Sequence, residues 1–356
     1  MSEPKWKILV GDCRERLREL PDESVNMVWT SPPYFNMRDY GDEKQIGTER
    51  TLQAFISELV SLFSEVRRVL SDDGVFWLNI GDNYSGSSFL NGVDLGEGVK
   101  HRELVGVPWR VAYALQADGW YLRSDIIWAK GVSGQVDTAE QVKTALVNEG
   151  LSPAAIDRVL ARLDPYRGSC LPDPATDRPS KSHEYVFLFS KNERYFYDAQ
   201  AIAEPYSPNT SASIKRSDAF GKQGVVGNHT SGGSDVIYQK PEGRNRRTVW
   251  TLSAPSYRKA HFATAPEALI EPCIKAGCPE GGTVLDPFAG AGTTLLVAEK
   301  LGRHSIGIEL NPEYAEIAEN RLLEYHRDVT APWEEGYIPE EEPEVLRELS
   351  FDDLLG

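Results

Sequence analysis

The sequence predicts an α/β fold, with a mostly parallel sheet covered by helices on both faces. Three observations predict it. Strand-sized apolar runs alternate with segments whose apolar residues recur at helical spacing. Three of the strands end in chemically unusual residues: Asp12, the turn Thr30-Ser31-Pro32-Pro33-Tyr34, and the loop Asp286 to Thr294. On parallel sheets, ligands bind at such carboxyl ends. Finally, 356 residues with 40% hydrophobic content suffice for one large α/β domain with insertions, or for two domains.

The elements follow in chain order. Lys5–Val10 is a short strand that stops at Gly11-Asp12. Ser24–Thr30 is a second strand. Its run Val25 to Trp29 meets two prolines that cannot continue a hydrogen-bond ladder. Leu52–Leu70 is a helix with Leu52, Phe55, Ile56, Leu59, Leu62, Phe63, Val66, Val69 and Leu70 on one face. Strand Val75–Ile80, helix Glu103–Ala117 and strand Tyr121–Trp128 come next. Tyr185–Ser190 and Tyr195–Asp198 read as an antiparallel pair. The chain then gives helix Ala265–Ala276, strand Thr283–Leu285, helix Thr293–Leu301, strand Ser305–Glu309 and helix Pro312–Tyr325. Asn311 is a good N-cap for the last helix, and Pro312 sits at its favoured first position.

Two segments interrupt the alternation. Residues 131–170 read as a helical insertion, with a capping-box pattern at Thr138 and Gln141. Ile202 to Ala260 has weak periodicity and many Gly, Ser and Asn. The organisation expected is therefore 1–198, 199–260, 261–330 and a tail at 331–356.

Charge separates these regions. The whole chain carries −16. The tail from Ala331 holds nine acids and one base, half of that balance, and is expected to be largely disordered. Gln200 to Ala260 reverses the sign, with nine Lys or Arg against four acids. A basic middle in an acidic chain is a candidate polyanion face, or else a solvated loop. No apolar run approaches the roughly 20 residues a bilayer requires, and no signal peptide is evident. The four cysteines, Cys13, Cys170, Cys273 and Cys278, form no C-x-x-C pair, so neither a metal site nor a disulfide framework is expected. The inferred compartment is a reduced cytoplasm.

The loop from Thr283 to Thr294 reads as strand, tight glycine turn and helix start. Gly290 and Gly292 allow close approach to the backbone, and a helix N-terminus offers free N–H groups. The lysine of a P-loop is absent, and the glycine pattern is not the full dinucleotide fingerprint. Glu309 lies 23 residues beyond Asp286, at the end of the following strand. An acid there can accept both hydroxyls of a ribose, so a nucleoside-containing cofactor is favoured. The plain alternative is a turn that serves helix packing only.

The proline turn fits a different task. An exocyclic amine on a nucleobase is a poor nucleophile, because its lone pair is delocalised into the ring. Rigid acceptors at its two N–H groups would draw it toward tetrahedral geometry. Ser31 Oγ and the Pro32 carbonyl are two such acceptors, and Pro32-Pro33 fixes both. Tyr34 offers a flat face for an extruded base. The plain alternative here is a strand-ending turn.

Thr30 to Tyr34 followed by Asp286-Pro-Phe-Ala-Gly-Ala-Gly-Thr-Thr294 resembles the β group of S-adenosylmethionine-dependent DNA amino-methyltransferases. In that group the catalytic turn precedes the cofactor loop. Val10 to Cys13, Leu78 to Asp82, Gly119 to Arg123, Asp177 to Tyr185, His261 to Glu267 and Ile306 to Asn311 resemble further family segments. The resemblance covers roughly residues 5–130 and 175–327. It implies a Rossmann-like methyltransferase sheet in circularly permuted order, with an antiparallel strand and an inserted target-recognition region at about 202–260. It implies that Ser31, Pro32, Pro33 and Tyr34 hold a flipped base. Phe288, Gly290 and Gly292 would pass the methionine part of S-adenosyl-L-methionine, Glu309 would take the ribose, and Asp12 would lie near the adenine. Phe262 to Thr264 would close over the methionine end, with Asp286 and Thr293 completing the cofactor set. Arg244, Arg246 and Arg247 become candidate contacts to double-stranded DNA. No metal is required, and a companion restriction endonuclease is a possible partner.

Members of this group with serine at the turn mostly methylate cytosine N4, and those with aspartate mostly adenine N6, so Ser31 favours cytosine. An RNA or protein amide methyltransferase, a silent DNA-binding module and a nicotinamide dehydrogenase remain as rivals. The oligomeric state and the recognition sequence are not legible.

Overall fold

The computed structural model describes residues 6–37, 44–86, 90, 92–96, 98–130, 175–206, 243–252 and 265–330. The helical insertion, the acidic tail, Phe262 and Thr264 lie outside the described residues. The described strands are β1 (Trp6–Val10), β2 (Val25–Thr30), β3 (Leu70–Ile80), β4 (Tyr121–Lys130), β5 (His183–Ser190), β6 (Val249–Leu252), β7 (Thr283–Asp286) and β8 (His304–Glu309). They form one sheet in the order β1-β8-β7-β2-β3-β5-β4-β6. All neighbours are parallel except β3/β5 and β4/β5. Among the described strands, therefore, β5 alone runs against the sheet.

The helices are α1 (Cys13–Arg16), α2 (Leu52–Val69), α3 (Val107–Ala117), α4 (Glu267–Gly277), α5 (Thr293–Lys300) and α6 (Pro312–Thr330). The apolar stripe read from the sequence in α2 is buried from Leu52 to Val69. Thr51 caps it, accepting from Ala54 N–H at 3.0 Å. Each fully buried Leu or Phe in such a stripe contributes about 1.5–3 kcal/mol, so packing, more than propensity, holds this helix. Phe55, Phe63, Phe76, Trp120 and Phe189 share one core on that face. On the opposite face, α4 packs Ile270, Cys273 and Ile274 against Met27, Trp29 and Trp77 of the central strands. Buried on both sides, β2 and β3 carry near-continuous apolar runs rather than an alternating pattern.

Three sequence expectations need correction. Tyr195–Asp198 is not a strand partner of β5, which instead lies between β3 and β4. It runs beside the sheet, tied by Phe196 N–H to Asp73 O and Asp198 N–H to Ala276 O. Helix α3 starts at Val107 rather than Glu103, because Gly106 takes a left-handed conformation (φ 75°) and Pro108 fits only the first turn. And β6, inside the segment expected for target recognition, joins the catalytic sheet as its edge strand beside β4.

Candidate active site

One end of the sheet gathers the described motifs. The carboxyl ends of β1, β8, β7, β2, β3 and β4 meet there, and reversed β5 contributes its amino end. They line a cavity of about 710 Å³, within the size range of small-molecule sites. Of the residues named from the sequence, Ser31, Pro32, Pro33, Tyr34, Asp12, Asp286, Phe288, Gly290, Thr293 and Glu309 line it.

The turn after β2 is anchored from behind. Phe35 is buried and packs on Phe55 of α2 at 5.1 Å between ring centroids. Asn36 N–H donates to Gly47 O at 2.6 Å, and Asn36 Nδ2 donates to Glu49 O. With Phe35 held in the core, Tyr34 is directed into the cavity. Its ring lies on the backbone of Gly81, where an added Cβ would come within 2.7 Å of the ring edge. Tyr34 Oη donates to Glu184 Oε2 at 2.5 Å. Ser31 Oγ lies 3.4 Å from Tyr34 Oη.

The glycine loop after β7 is organised by two acids. Glu309, at the end of β8, accepts Gly290 N–H at 2.8 Å on Oε2 and Asn311 N–H at 2.9 Å on Oε1. Burial pushes the Glu309 carboxyl above its ordinary value, and these two N–H bonds hold it back. Each carboxylate oxygen can accept from more than one donor. A ribose diol presents two donors on adjacent carbons and suits this carboxylate. Gly290 adopts φ 50° beside it, a conformation natural to glycine.

Asp286 plays another part. It is buried, and accepts Thr30 Oγ1–H and Thr294 Oγ1–H at 2.6 Å each and Phe288 N–H at 3.0 Å. Burial pushes its carboxyl up to about 6, against those three bonds. Thr30 opens the proline motif, so this carboxylate fastens the two motifs together. Gly292 also differs from the sequence reading. The Cβ it lacks would meet Ala318 Cβ at 2.7 Å, so its bareness admits α6 and does not line the cavity.

The comparisons with known proteins agree with one another. A family model described as DNA methylase, of the N6/N4 methyltransferase type, matches residues 25–320. The chain belongs to that family. It is 39% identical to the Type II methyltransferase M.SmaI of Serratia marcescens, over 89% of this chain and 90% of that protein. It is 38% identical to M.Cfr9I of Citrobacter freundii, over 88% and 86%. Among solved structures it is similar to the PvuII DNA methyltransferase (cytosine-N4-specific), with a TM-score of 0.52 at 20% identity over 91% of this chain and 94% of that one. It is also similar to TTHA0409 of Thermus thermophilus complexed with S-adenosyl-L-methionine, with a TM-score of 0.51 at 22% identity over 91% and 96%. The sheet is thus the Rossmann-like sheet of the DNA amino-methyltransferases, and the cofactor of this enzyme is S-adenosyl-L-methionine.

The other residues named from the sequence are placed as follows. Asp12 caps α1 through Arg14 N–H, and both its oxygens are also held by the Arg14 guanidinium at 2.6–3.1 Å. Burial raises its carboxyl, but the Arg14 bonds and charge outweigh that and leave it below the ordinary range. Arg14 also donates to Glu58 and to Lys44 O, which fastens the cavity rim. Arg244 and Arg247 both donate to Glu204 Oε2 at 2.9 Å. Their side chains stay 46% and 70% exposed, so this corner keeps a cationic surface. Arg246 lies over the Trp250 ring of β6, at 4.7 Å.

Sequence reasoning missed four cavity-lining residues on the side of the proline turn: Asn79, Trp128, Lys130 and Glu184. Lys130 ends β4 and pairs with Glu184 near the start of β5. The available signal was Lys181-Ser182-His183-Glu184-Tyr185, a polar cluster directly before a buried apolar run.

Proposed function

We propose that the protein methylates the exocyclic N4 amine of a cytosine turned out of double-stranded DNA at a specific recognition sequence. One observation carries this reading: a serine hydroxyl, Ser31, borders the cavity at the carboxyl end of β2, beside Pro32 and Tyr34. The family members that carry serine here mostly act on cytosine N4. The PvuII protein is named for that specificity, but at 20% identity its likeness supports the fold and leaves the base to Ser31.

When bound, S-adenosyl-L-methionine would supply a sulfonium-borne methyl group; as the N–CH3 bond forms the S–CH3 bond would break, releasing S-adenosylhomocysteine, and the amine would give up one proton to solvent. The cavity is suited to the cofactor by the Glu309 carboxylate, the start of α5 at Thr293 and Thr294, and the half-buried Phe288 ring, all of which line it. Ser31 Oγ and the Pro32 carbonyl take the two amine hydrogens and concentrate electron density on nitrogen. Because the prolines fix the backbone, this polarisation needs little reorganisation during the reaction. Turning the base out costs a few kcal/mol, offset here by Tyr34 and by cationic contacts. Arg244 and Arg247 are exposed toward phosphate, and Arg246 is steadied by Trp250. The proposal includes a cytoplasmic location and a companion endonuclease of the restriction type, as the Type II names of the relatives suggest.

The test is direct. Duplex DNA is methylated with labelled cofactor and digested to nucleosides. The label is expected in N4-methylcytosine; label confined to N6-methyladenine would refute the base assignment. Sequencing of the product gives the recognition site.

A further inference from the structure

Beside the proline turn stands a carboxylate that the motif itself does not contain. Glu184 Oε2 accepts Tyr34 Oη–H at 2.5 Å and Asn79 Nδ2–H at 3.2 Å. Asn79 also donates to Tyr185 O at 3.1 Å, which fixes its amide orientation. Glu184 Oε1 pairs with the Lys130 ammonium, which in turn lies over the Trp128 ring at 5.0 Å. An ionised carboxylate accepts and never donates. Tyr34 has a single hydroxyl proton, and its short bond to Glu184 occupies that proton. The oxygen of Tyr34 therefore faces Ser31 as an acceptor. Ser31 Oγ, 3.4 Å away, donates toward it. With its one proton so directed, Ser31 turns its lone pairs to the cavity.

We propose that Glu184 is a positioning residue which, acting through Tyr34, fixes Ser31 as a hydrogen-bond acceptor for the target amine. A serine without this constraint can equally donate to the amine nitrogen. That would tie up the lone pair that must attack the methyl carbon. The chain Glu184–Tyr34–Ser31 removes that option by hydrogen-bond polarity alone. Lys130 balances the negative charge so that Glu184 can sit at the cavity wall. The proposal rests on Ser31 being an amine acceptor and holds for cytosine N4 and adenine N6 alike.

The test is a two-residue cycle in the full chain: Glu184→Gln, Tyr34→Phe and the double variant. Methyl transfer to unmethylated duplex DNA is followed with tritiated S-adenosylmethionine, alongside cofactor Kd, the KM for DNA and melting temperature. The amide introduced by Glu184→Gln can donate as well as accept, so kcat is expected to fall about tenfold or more, equivalent to about 1.4 kcal/mol in the barrier. Cofactor Kd and the KM for DNA should be unchanged. Tyr34→Phe should lose a comparable factor, and adding Glu184→Gln to it should cost nothing more. A general structural weakening would instead give additive losses and a lower melting temperature. An unchanged kcat in Glu184→Gln overturns the proposal, as does an equal loss in both backgrounds. Should Glu184→Gln fail to fold, a folded Tyr34→Phe with wild-type kcat overturns it. Wild-type protein that transfers no methyl group to any DNA would defeat the underlying reading of Ser31 instead.

Discussion

The two halves of the cavity are built by opposite means. On the cofactor side, a carboxylate collects backbone N–H groups: Glu309 takes Gly290 and Asn311. On the side of the proline turn, side chains hold one another, from Lys130 through Glu184 and Tyr34 to Ser31. Backbone contacts tolerate little variation and give a fixed receptor for a fixed ligand. Side-chain contacts set the direction of individual hydrogen bonds, which a reacting amine requires. Between the halves, Asp286 bonds to both, through Thr30 on one side and Thr294 with Phe288 on the other.

Substitutions at each half should separate binding from chemistry. The largest effect is expected from Ser31→Ala, which removes a preorganised acceptor and should lower kcat by about 10²–10³. Cofactor Kd, measured by calorimetry, should remain at the wild-type value. A near-normal rate would remove Ser31 from the chemistry. Glu309→Ala should do the reverse, weakening cofactor binding by about 100-fold through loss of two charge-assisted bonds. The rate at saturating cofactor should change far less. The sign of its pH dependence follows from burial. The ionised carboxylate is the binding form and its pKa is raised, so affinity should fall with acidification, starting above the ordinary glutamate range. Smallest in activity is Thr30→Val, which cuts the link between the halves at nearly constant volume. Loss of one buried bond to a carboxylate costs about 1.5–3 kcal/mol, a melting shift of roughly 2–6 °C by calorimetry. Modest changes in both Kd and kcat should accompany it. A selective loss in one alone would show that the two halves are not joined there.

Most of the cofactor side was legible in the sequence, because parallel strands place their carboxyl ends together. Asp286, Gly290 and Glu309 each lie at or just after such an end. The side of the proline turn was legible only where it followed the same rule, at Ser31 to Tyr34. Glu184 belongs to the one reversed strand among those described, so its amino end reaches the site, and a search of carboxyl ends passes it by. Asp12 was expected near the adenine, but a pattern search does not reveal that Arg14 holds both its oxygens. The i to i+2 spacing after a strand end, with Asp12 as a helix cap, was the missed signal. Glu204 was equally hidden. Its two arginines lie 40 and 43 residues away, joined to it through a segment of weak periodicity. Gly292 looked like a ligand glycine because its neighbour Gly290 is placed like one, and only the crossing of α6 reveals its other use.

The bond between Thr30 and Asp286 spans 256 residues of chain. During translation the proline turn emerges well before the strand that completes its setting. Until then β1 lacks β8, its neighbour among the described strands, and β2 is exposed along the edge that β7 will cover. Contacts of such long range slow folding, because loop closure must be achieved before they form. A ribosome-bound chain therefore carries the proline turn before Asp286 and Glu309 have been added. A product truncated before β7 likewise carries the proline turn without Asp286 and Glu309.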